Sequence, residues 1–248
     1  MDEDLHGKVA LVTGAARRIG AAIARRLHAS GASVIVHYRG AEAEAASLET
    51  ELNALRAGSA LRLKGDLLAP IAPKALVGAA LERWGRIDLL VNNASAFYPT
   101  PMGEIEAGHW EDLVGSNLRA PLFLSQAAAP HLAQAQGSIV NIADLHARRP
   151  LKGYLVYSVA KSGLAALTCA LALELAPAVR VNAVAPGAIA WPEDGQFESK
   201  ERERIVASTP LRRMGTPEDV ARAVHFLATA PFVTGHVLAV DGGRSVFV

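Results

Sequence analysis

A tyrosine and a lysine four positions apart, Tyr157 and Lys161, are the two side chains of this sequence best suited to moving a proton. In a helix this spacing places both on the same face. A phenol ordinarily titrates at about 10, and a neighbouring ammonium group favours the phenolate and so lowers that pKa. We therefore expect Tyr157 to donate a proton and recover it near neutral pH. Tyr154 has no lysine at this spacing, so Tyr157 is the candidate.

Other polar residues follow apolar runs that are typical of buried strands. Asp144 follows residues 138–142, Asn93 follows residues 87–92, and Asn117 begins a helical pattern. If these runs form neighbouring parallel strands, their carboxyl ends lie at one edge of the sheet. Ligands of such sheets bind at that edge. We therefore expect these polar residues to lie in one site.

A turn that contains Gly14 and Gly20 follows the apolar run at residues 8–13 and precedes a helical pattern. Such a turn between a first strand and a helix lets backbone N–H groups approach a pyrophosphate. A second apolar run, residues 33–37, ends 17 positions after Gly20. The residues of the turn expected to contact a dinucleotide are Gly14, Arg18, Ile19 and Gly20.

The residues after the second run indicate which dinucleotide is bound. An acidic residue there holds the ribose 2′-hydroxyl of NAD, whereas a nearby arginine accommodates the 2′-phosphate of NADP. The chain has His37, Tyr38 and Arg39 at this place and no acid before Glu42. Arg18 adds a second positive charge, and an arginine can bind a phosphate through two hydrogen bonds. We predict NADPH as the cofactor.

Strands and helices are predicted to alternate along the whole chain. The strands are residues 8–13, 33–37, 61–64, 87–92, 138–142, 179–184 and 237–240. The helices run through Ile19, Ile23 and Leu27 to a stop at Gly31, and over residues 42–56, 74–84, 117–135, 153–175 and 217–229. Because the strand runs are continuously apolar, helices should cover both faces of a parallel sheet. We expect one doubly wound α/β domain over residues 1–248, with a seven-stranded parallel sheet.

The segment after the sixth strand, residues 188–210, is long and charged, and it fits a lid over the substrate. Trp191 near its beginning is placed to face the substrate's side chain. Residues 198–204 alternate in charge and are typical of a solvated helix face.

Composition excludes several classes of protein. Of the 248 residues, 51% are hydrophobic and 20% are charged, which is the balance of a globular chain. Lys and Arg number 25 and Asp and Glu 24, so the net charge of +1 disfavours nucleic acid and anionic membranes as partners. The single cysteine, Cys169, cannot form an intrachain disulfide or a CxxC site, and the eight histidines show no HExxH spacing. With an acidic start and no uninterrupted apolar run of about 18 residues, we expect a soluble cytoplasmic protein without a metal.

Over essentially its full length, the chain resembles the short-chain dehydrogenase/reductase family, whose fold is Rossmann-like. The matching elements are Thr13-Gly14…Gly20, Asp66, Asn92-Asn93-Ala94, Asn117, Tyr157…Lys161, Asn182…Pro186-Gly187 and Asp241-Gly242-Gly243. The resemblance implies that Tyr157 is the proton donor or acceptor and that Lys161 lowers its pKa and holds the nicotinamide ribose. It also implies that Asn117 holds a helix kink and a water of the proton relay.

The same resemblance implies the remaining cofactor contacts. Asp66, with Leu67 after it, would lie beside the adenine, and Pro186 and Gly187 beside the nicotinamide. The other residues that would contact the cofactor are Asn93, Ala94 and Ser95 after the fourth strand, together with Tyr157 and Lys161.

Two departures from the family pattern resemble one branch, the pteridine reductases. The family usually has glycine in place of Arg18 and serine in place of Asp144. An ionised carboxylate only accepts hydrogen bonds, so Asp144 suits a substrate that presents N–H groups better than a carbonyl. The branch shares the Arg-x-Gly turn, the His-Tyr pair after the second strand, the Asp–Tyr–Lys triad and a motif seen here as residues 93–101. The chain lacks the long insertions of the protozoan enzymes, so the compact bacterial type is the nearer likeness.

Phe97 within that motif is placed to cover a flat ring. Aromatic stacking contributes about 0.5–1.5 kcal/mol beyond burial. The resemblance implies that a pterin lies between Phe97 and the nicotinamide, with Ser95 and Arg18 on its polar edge. The predicted substrate contacts are Arg18, Ser95, Phe97, Asp144, Tyr157 and Trp191.

The activity implied is hydride transfer from NADPH to a dihydropterin, with Tyr157 and Asp144 in the proton path. Dihydromonapterin, dihydrobiopterin and dihydrofolate all remain candidate substrates. Two other functions stay open, a carbonyl reductase of the same family and a catalytically silent NADP-binding module. The long helices at residues 117–135 and 153–175 carry small and apolar side chains around much of their circumference, which permits contact between subunits. The resemblance implies a homotetramer.

Overall fold

The strands of the computed structural model, which describes residues 4–191 and 198–246, form one sheet. All neighbouring strands pair in parallel, in the order β3-β2-β1-β4-β5-β6-β7. The strands are β1 (Val9–Val12), β2 (Ser33–Tyr38), β3 (Ala60–Lys64), β4 (Leu89–Asn92), β5 (Ser138–Ile142), β6 (Arg180–Pro186) and β7 (Val237–Val240). The order reverses between β1 and β4, which opens a crevice at the carboxyl ends of these strands.

Helices connect the strands. They are α1 (Arg18–Ala29), α2 (Glu42–Leu55), α3 (Ala72–Trp84), α4 (Ala107–Val114), α5 (Ala120–Ala135), α6 (Leu155–Glu174), α7 (Ser199–Ser208) and α8 (Pro217–Thr229). A π-helical turn, Gly115–Arg119, joins α4 to α5, and a short 3-10 turn, Leu145–Ala147, follows β5. The start of α8 shows how local sequence sets a boundary, because Thr216 and Asp219 form a capping box ahead of Pro217.

The core has two layers because side chains alternate between the faces of each strand. In β1, Ala10 and Val12 pack with α1, α2 and α8, whereas Val9 and Leu11 pack with α3, α5 and α6. Both faces of the sheet are thus covered by helices, and the predicted doubly wound α/β fold is confirmed.

The prediction that a long helix begins at Asn117 is wrong. Asn117 lies in the π-helical turn, inside a helical stretch that already begins with α4 at Ala107. The extra residue of a π turn shifts the apolar repeat out of phase. The signal of α4 is also weak, since Leu113 is its one buried residue.

The prediction of continuously apolar strands is wrong for β3. Among the described strands, β3 pairs only with β2 and lies at the edge of the sheet. Arg62 and Lys64 are exposed and pair with Glu49 (N–O distance 3.3 Å) and Glu42 (3.8 Å). Charged side chains on an edge strand discourage pairing with another chain.

Helix α6 has the length and composition of a membrane span, with a mean hydropathy of 1.5 over its best window. Half of that window is buried inside the fold. Core helices of soluble proteins meet the same criterion, and α6 carries Tyr157 and Lys161, both buried. The helix is therefore weak evidence for a membrane.

Candidate active site

Two adjoining clefts open at the carboxyl ends of the strands. The first has a volume of about 570 Å³ and is lined by residues that follow β1, β2, β3 and β4. The second has a volume of about 510 Å³ and is lined by residues that follow β4, β5, β6 and β7, together with residues of α6. Both clefts are lined by Arg17, Arg18, Ile19, Asn93 and Ser95. An elongated ligand can therefore pass from one to the other.

The structure gathers the predicted contacts into these two clefts. The first contains Gly14, Arg18, Ile19, Gly20, His37, Tyr38, Arg39, Asp66, Leu67, Asn93, Ala94 and Ser95. The second contains Arg18, Ser95, Phe97, Asp144, Tyr157, Lys161, Pro186, Gly187 and Trp191. Asn117 lines neither cleft and is completely buried. Roles in binding and catalysis stay predictions for all of these residues.

Glycines are required in the turn after β1 because the backbone packs tightly there. A Cβ on Gly20 would lie 2.2 Å from the carbonyl oxygen of Gly14. Gly14 itself has a φ of +61°, and a Cβ on it would lie 3.0 Å from the Cα of Ala94. The Asn93 amide donates hydrogen bonds to the carbonyl oxygens of Thr13 (2.8 Å) and Gly14 (3.0 Å). The turn is thereby fixed to the end of β4.

Arg18 adopts the left-handed backbone conformation that normally favours glycine, with a φ of +52°. A non-glycine residue held there costs on the order of 1 kcal/mol or more. Its guanidinium donates a hydrogen bond to the carbonyl oxygen of Ala190 (2.8 Å), across the mouth of the second cleft. The guanidinium of Arg18 therefore places a positive charge at the border of both clefts.

The ring of His37 lies between the glycine-containing turn after β1 and the chain after β3. Its Nδ1 accepts a hydrogen bond from the N–H of Gly14 (3.2 Å), and its Nε2 lies 3.1 Å from the carbonyl oxygen of Gly65. These partners require a neutral ring with its proton on Nε2. Burial lowers the pKa of His37 to about 4, although the Gly65 carbonyl and Asp66 act in the opposite direction.

We expect His37 to make the protein less stable in mild acid. Its folded-state pKa of about 4 lies below its ordinary 6.5, so the unfolded chain takes up the proton first as the pH falls. Stability is full above pH 6.5 and declines towards pH 4, by about 2 kcal/mol between pH 7 and pH 5. Urea unfolding at both pH values should show this loss in the native protein and a smaller loss in His37→Asn, whereas equal losses would contradict the assignment.

Asp144 and Tyr157 are in direct contact. The Tyr157 hydroxyl donates a hydrogen bond to Oδ2 of Asp144 (2.8 Å), while Oδ1 of Asp144 accepts the backbone N–H of His146 (2.8 Å). The Lys161 ammonium donates to the carbonyl oxygen of Ile142 (2.8 Å) and lies 5.8 Å from the centroid of the Tyr157 ring. The predicted triad is therefore assembled at the ends of β5 and α6.

The expected lowering of the Tyr157 pKa is wrong for this arrangement. Burial raises that pKa well above 10, and the charge of Asp144 and its hydrogen bond raise it further, while Ser95 acts in the opposite direction. Burial also lowers the pKa of Lys161 to about 8, against the charge of Asp144. The Lys161 ammonium group does not offset these effects, because its hydrogen bond goes to the carbonyl oxygen of Ile142 and not to the phenol. Tyr157 is a protonated acid at neutral pH.

Asn117 fastens the π-helical turn to the loop after β4. Its amide nitrogen donates to the carbonyl oxygens of Ala96 and Leu113 (both 2.9 Å), and its amide oxygen accepts the hydroxyl of Ser95 (2.7 Å). The residue thus acts on the cleft through Ser95, which itself lies close to Tyr157.

Phe97 belongs to an aromatic cluster beside the triad. Its ring stacks on Tyr154, with 4.7 Å between centroids and 14° between planes. It also meets Tyr157 edge-on, with centroids 4.7 Å apart. Phe97 lines the second cleft, so the packing that fixes its ring also places it beside the candidate acid.

The predicted lid, residues 188–210, includes residues 192–197, which lie outside the described residues. The structure describes the parts of the lid on either side of them. The guanidinium of Arg202 in α7 lies 5.5 Å from the ring centroid of Trp191. Helix α7 has no buried residue, in agreement with the solvated face predicted over residues 198–204.

Several residues of the clefts were not predicted from the sequence. Arg17 and Glu44 line the first cleft, with 3.8 Å between charged atoms. Those missed in the second cleft include Arg17, Leu145, His146, Leu151, Ile205 and Arg244. Arg244 comes shortly after β7, so its position after a predicted parallel strand could have identified it from the sequence as a residue of the site. Across residues 4–191 and 198–246, no three His, Cys, Asp or Glu side chains group as metal ligands would.

Known proteins match almost the whole chain. The family model described as enoyl-(acyl carrier protein) reductase matches residues 14–245. Pteridine reductase 1 of Leishmania tarentolae is 40% identical, with 96% of each chain covered. That alignment runs over 280 positions, more than this chain contains, so parts of the relative lie opposite gaps.

Ketone-reducing relatives are about equally similar. A protein of Streptomyces violaceoruber described as ketoacyl reductase 2 of granaticin polyketide synthase is 40% identical, with 95% of each chain covered. The 3-oxoacyl-[acyl-carrier-protein] reductase of Synechocystis is 36% identical, with 98% of this chain and 99% of the relative covered. Together with the fold and the Tyr157–Lys161 pair, these matches show that the chain belongs to the short-chain dehydrogenase/reductase family of oxidoreductases.

Proposed function

We propose that the protein is an NADPH-dependent pterin reductase. The observation that carries the proposal is the Asp144 carboxylate hydrogen-bonded to Tyr157. A carboxylate accepts hydrogen bonds and repels a carbonyl oxygen, whereas the amino and ring N–H groups of a pterin can donate to it. Phe97 beside this pair offers a flat face to a flat ring. The 40% identity to a relative named pteridine reductase supports the same substrate class.

The first cleft fits a dinucleotide. The close approach of Gly20 to Gly14 leaves a turn without side chains, where backbone N–H groups can meet a pyrophosphate. Arg39 lines the cleft and has no ion pair within residues 4–191 and 198–246. Glu44 also lines it, but Arg17 lies 3.8 Å from its carboxylate and offsets its charge. These features favour NADPH over NADH.

Replacing Arg39 with alanine should weaken NADPH binding by about tenfold or more, because a charge-assisted contact to the 2′-phosphate is lost. NADH, which lacks that phosphate, should bind with little change. Titration of both cofactors against the native protein and Arg39→Ala, followed by fluorescence, measures the difference. Equal weakening for the two cofactors would contradict the assignment of Arg39 to the 2′-phosphate.

The residues of the second cleft can then be given roles in reduction of a C=N bond. NADPH, when bound, would supply a hydride to the ring carbon of the substrate. Tyr157, protonated at neutral pH, supplies the proton to the adjacent nitrogen of an oxidised pterin and is assisted by Asp144. For a dihydropterin the proton from Tyr157 would reach the ring nitrogen through water. Arg18 and Ser95 lie where they can bond the polar edge of the ring.

Two other functions make different predictions. A carbonyl reductase would prefer a 3-oxoacyl thioester or a sugar to any pterin, and relatives named for such ketones are 36–40% identical. A silent module would bind NADPH tightly without turnover. Asp144 in contact with Tyr157 weighs against the first, and the assembled Asp144, Tyr157 and Lys161 weigh against the second.

The first experiment is NADPH oxidation by the purified protein with 7,8-dihydrobiopterin, dihydrofolate and acetoacetyl-CoA. Turnover that depends on a pterin would support the proposal. Turnover with the thioester alone would show that the protein is a carbonyl reductase with an unusual acid in its site.

We further propose that residues 1–248 act as one reductase domain in the cytoplasm, with residues 188–210 as its lid, and assemble as a homotetramer. Exposed apolar side chains on α5 and α6 support contact between subunits. They include Leu122, Phe123, Leu155 and Val159. A monomer in light scattering at micromolar concentration would contradict the assembly.

A further inference from the structure

Arg244 lies in the wall of the second cleft, on the side formed by the chain after β7. The strand ends at Val240, and the backbone turns through Gly242 and Gly243, whose φ angles are +64° and +86°. The turn places Arg244 in the lining that also contains Trp191 and Ile205. Nothing in the proposed proton path uses this residue.

The guanidinium of Arg244 is only partly satisfied by the protein. Its Nη1 donates to the carbonyl oxygen of Ile205 (3.0 Å) and, more weakly, to the hydroxyl of Ser208 (3.4 Å). Within residues 4–191 and 198–246, its Nε and Nη2 have no hydrogen bond, and no carboxylate lies within 4 Å. The nearby acid, Asp241, instead accepts the backbone N–H groups of Gly243 (2.9 Å) and Ser245 (2.6 Å).

A partly buried cation without a counter-ion is unfavourable unless a ligand supplies one. Burial and the charge of Arg204 lower the pKa of Arg244, while Asp241 acts in the opposite direction. The guanidinium nevertheless remains protonated at neutral pH. Among the described residues that line the cleft, Asp144 is the one carboxylate, and the Tyr157 hydroxyl already donates to it. The positive charge of Arg244 is therefore available to a ligand.

We propose that Arg244 determines specificity by binding a carboxylate on the tail of the substrate. The inference rests on the proposed function: the pterin ring lies by Phe97 and Tyr157, and its side chain runs towards Trp191 and Arg244. A guanidinium binds a carboxylate through two parallel hydrogen bonds, and Nε and Nη2 form such a pair. The preferred substrate is then a pterin with an acidic tail, such as dihydrofolate, over one with a neutral polyol tail, such as dihydrobiopterin.

The test compares these two substrates in Arg244→Met, which keeps an unbranched side chain without the charge. We expect kcat/KM for dihydrofolate to fall by about tenfold to a hundredfold, mostly through KM, as for loss of a hydrogen bond to a charged group. The value for dihydrobiopterin should stay within about twofold of the native protein, as expected for a substrate that makes no contact with this side chain. Arg244→Lys should recover part of the loss. Arg213→Met is the matched control, because Arg213 is exposed and lies outside both clefts.

The outcomes separate this inference from the proposed function. An equal loss with both pterins would overturn the inference and show that Arg244 acts through α7, whose end it contacts. No loss with either pterin would overturn it as well. If the native protein reduces neither pterin, the proposed function itself fails, and the assignment of an acidic pterin tail fails with it.

Discussion

Replacement of Asp144 by serine should lower kcat/KM for 7,8-dihydrobiopterin by about a hundredfold or more. The carboxylate both accepts the N–H groups of the ring and contacts the hydroxyl that supplies the proton. A serine hydroxyl carries no charge and is shorter, so it cannot keep both contacts. Steady-state NADPH oxidation with native protein and Asp144→Ser measures the effect.

The same substitution should shift the substrate preference of the site from pterins towards ketones. Serine donates a hydrogen bond to a carbonyl oxygen, whereas Asp144 repels it. We expect the ratio of turnover with acetoacetyl-CoA to turnover with the pterin to rise in Asp144→Ser. The factor of this rise should be at least as large as the factor by which pterin turnover falls. Asp144→Asn is the useful companion, because it keeps the size of the side chain and removes the charge.

We also expect Asp144→Ser to leave the fold and its stability nearly unchanged. Asp144 caps the 3-10 turn after β5 through the N–H of His146, and serine is an equally good cap residue. Thermal unfolding should therefore differ little between the two proteins. Full pterin turnover in Asp144→Ser, with the fold intact, would count against the role given to Asp144 and favour a carbonyl reductase.

The central strands were predictable because burial on both faces of a parallel sheet requires runs of apolar residues. Strand β5, whose five residues are all buried, begins and ends where the sequence predicts it. Gly14 and Gly20 were predictable for a related reason, since only glycine tolerates the approach of backbone atoms in the turn. In both cases the physical requirement acts on residue type and leaves a local pattern.

Properties that depend on contacts between residues remote in sequence leave no such local pattern. The spacing of Tyr157 and Lys161 correctly predicts a shared helix face, but the pKa of the phenol follows from burial and from Asp144, which contacts it across 13 residues of sequence. Likewise the position of Arg244 after β7 predicts the edge of the sheet at which it lies, but the lack of a carboxylate partner among the described residues follows from the folded chain. Charge balance in a cleft is a property of the folded chain and not of any one motif.

Tyr157→Phe should lower pterin turnover by about a thousandfold, because the variant keeps the ring and loses the only hydroxyl that contacts Asp144 in the described structure. NADPH affinity should fall far less than turnover, since the predicted cofactor contacts in the first cleft are not altered. Tyr98→Phe is the matched control. Tyr98 follows β4 and its hydroxyl bonds to Asp112, but it lines neither cleft.

Combining Tyr157→Phe with Asp144→Asn tests whether the two groups act as one acid. Residues that act as a unit give non-additive losses. Because the phenol donates directly to the carboxylate, removing Asp144 from a protein that already lacks the hydroxyl should cost little more. At saturating substrate, where the contacts of Asp144 with the N–H groups of the ring no longer limit the rate, the double variant should therefore be about as active as Tyr157→Phe alone in single-turnover reduction of 7,8-dihydrobiopterin. Losses that multiply under these conditions, about a hundredfold beyond the single variant, would mean that Asp144 promotes the reaction independently of Tyr157.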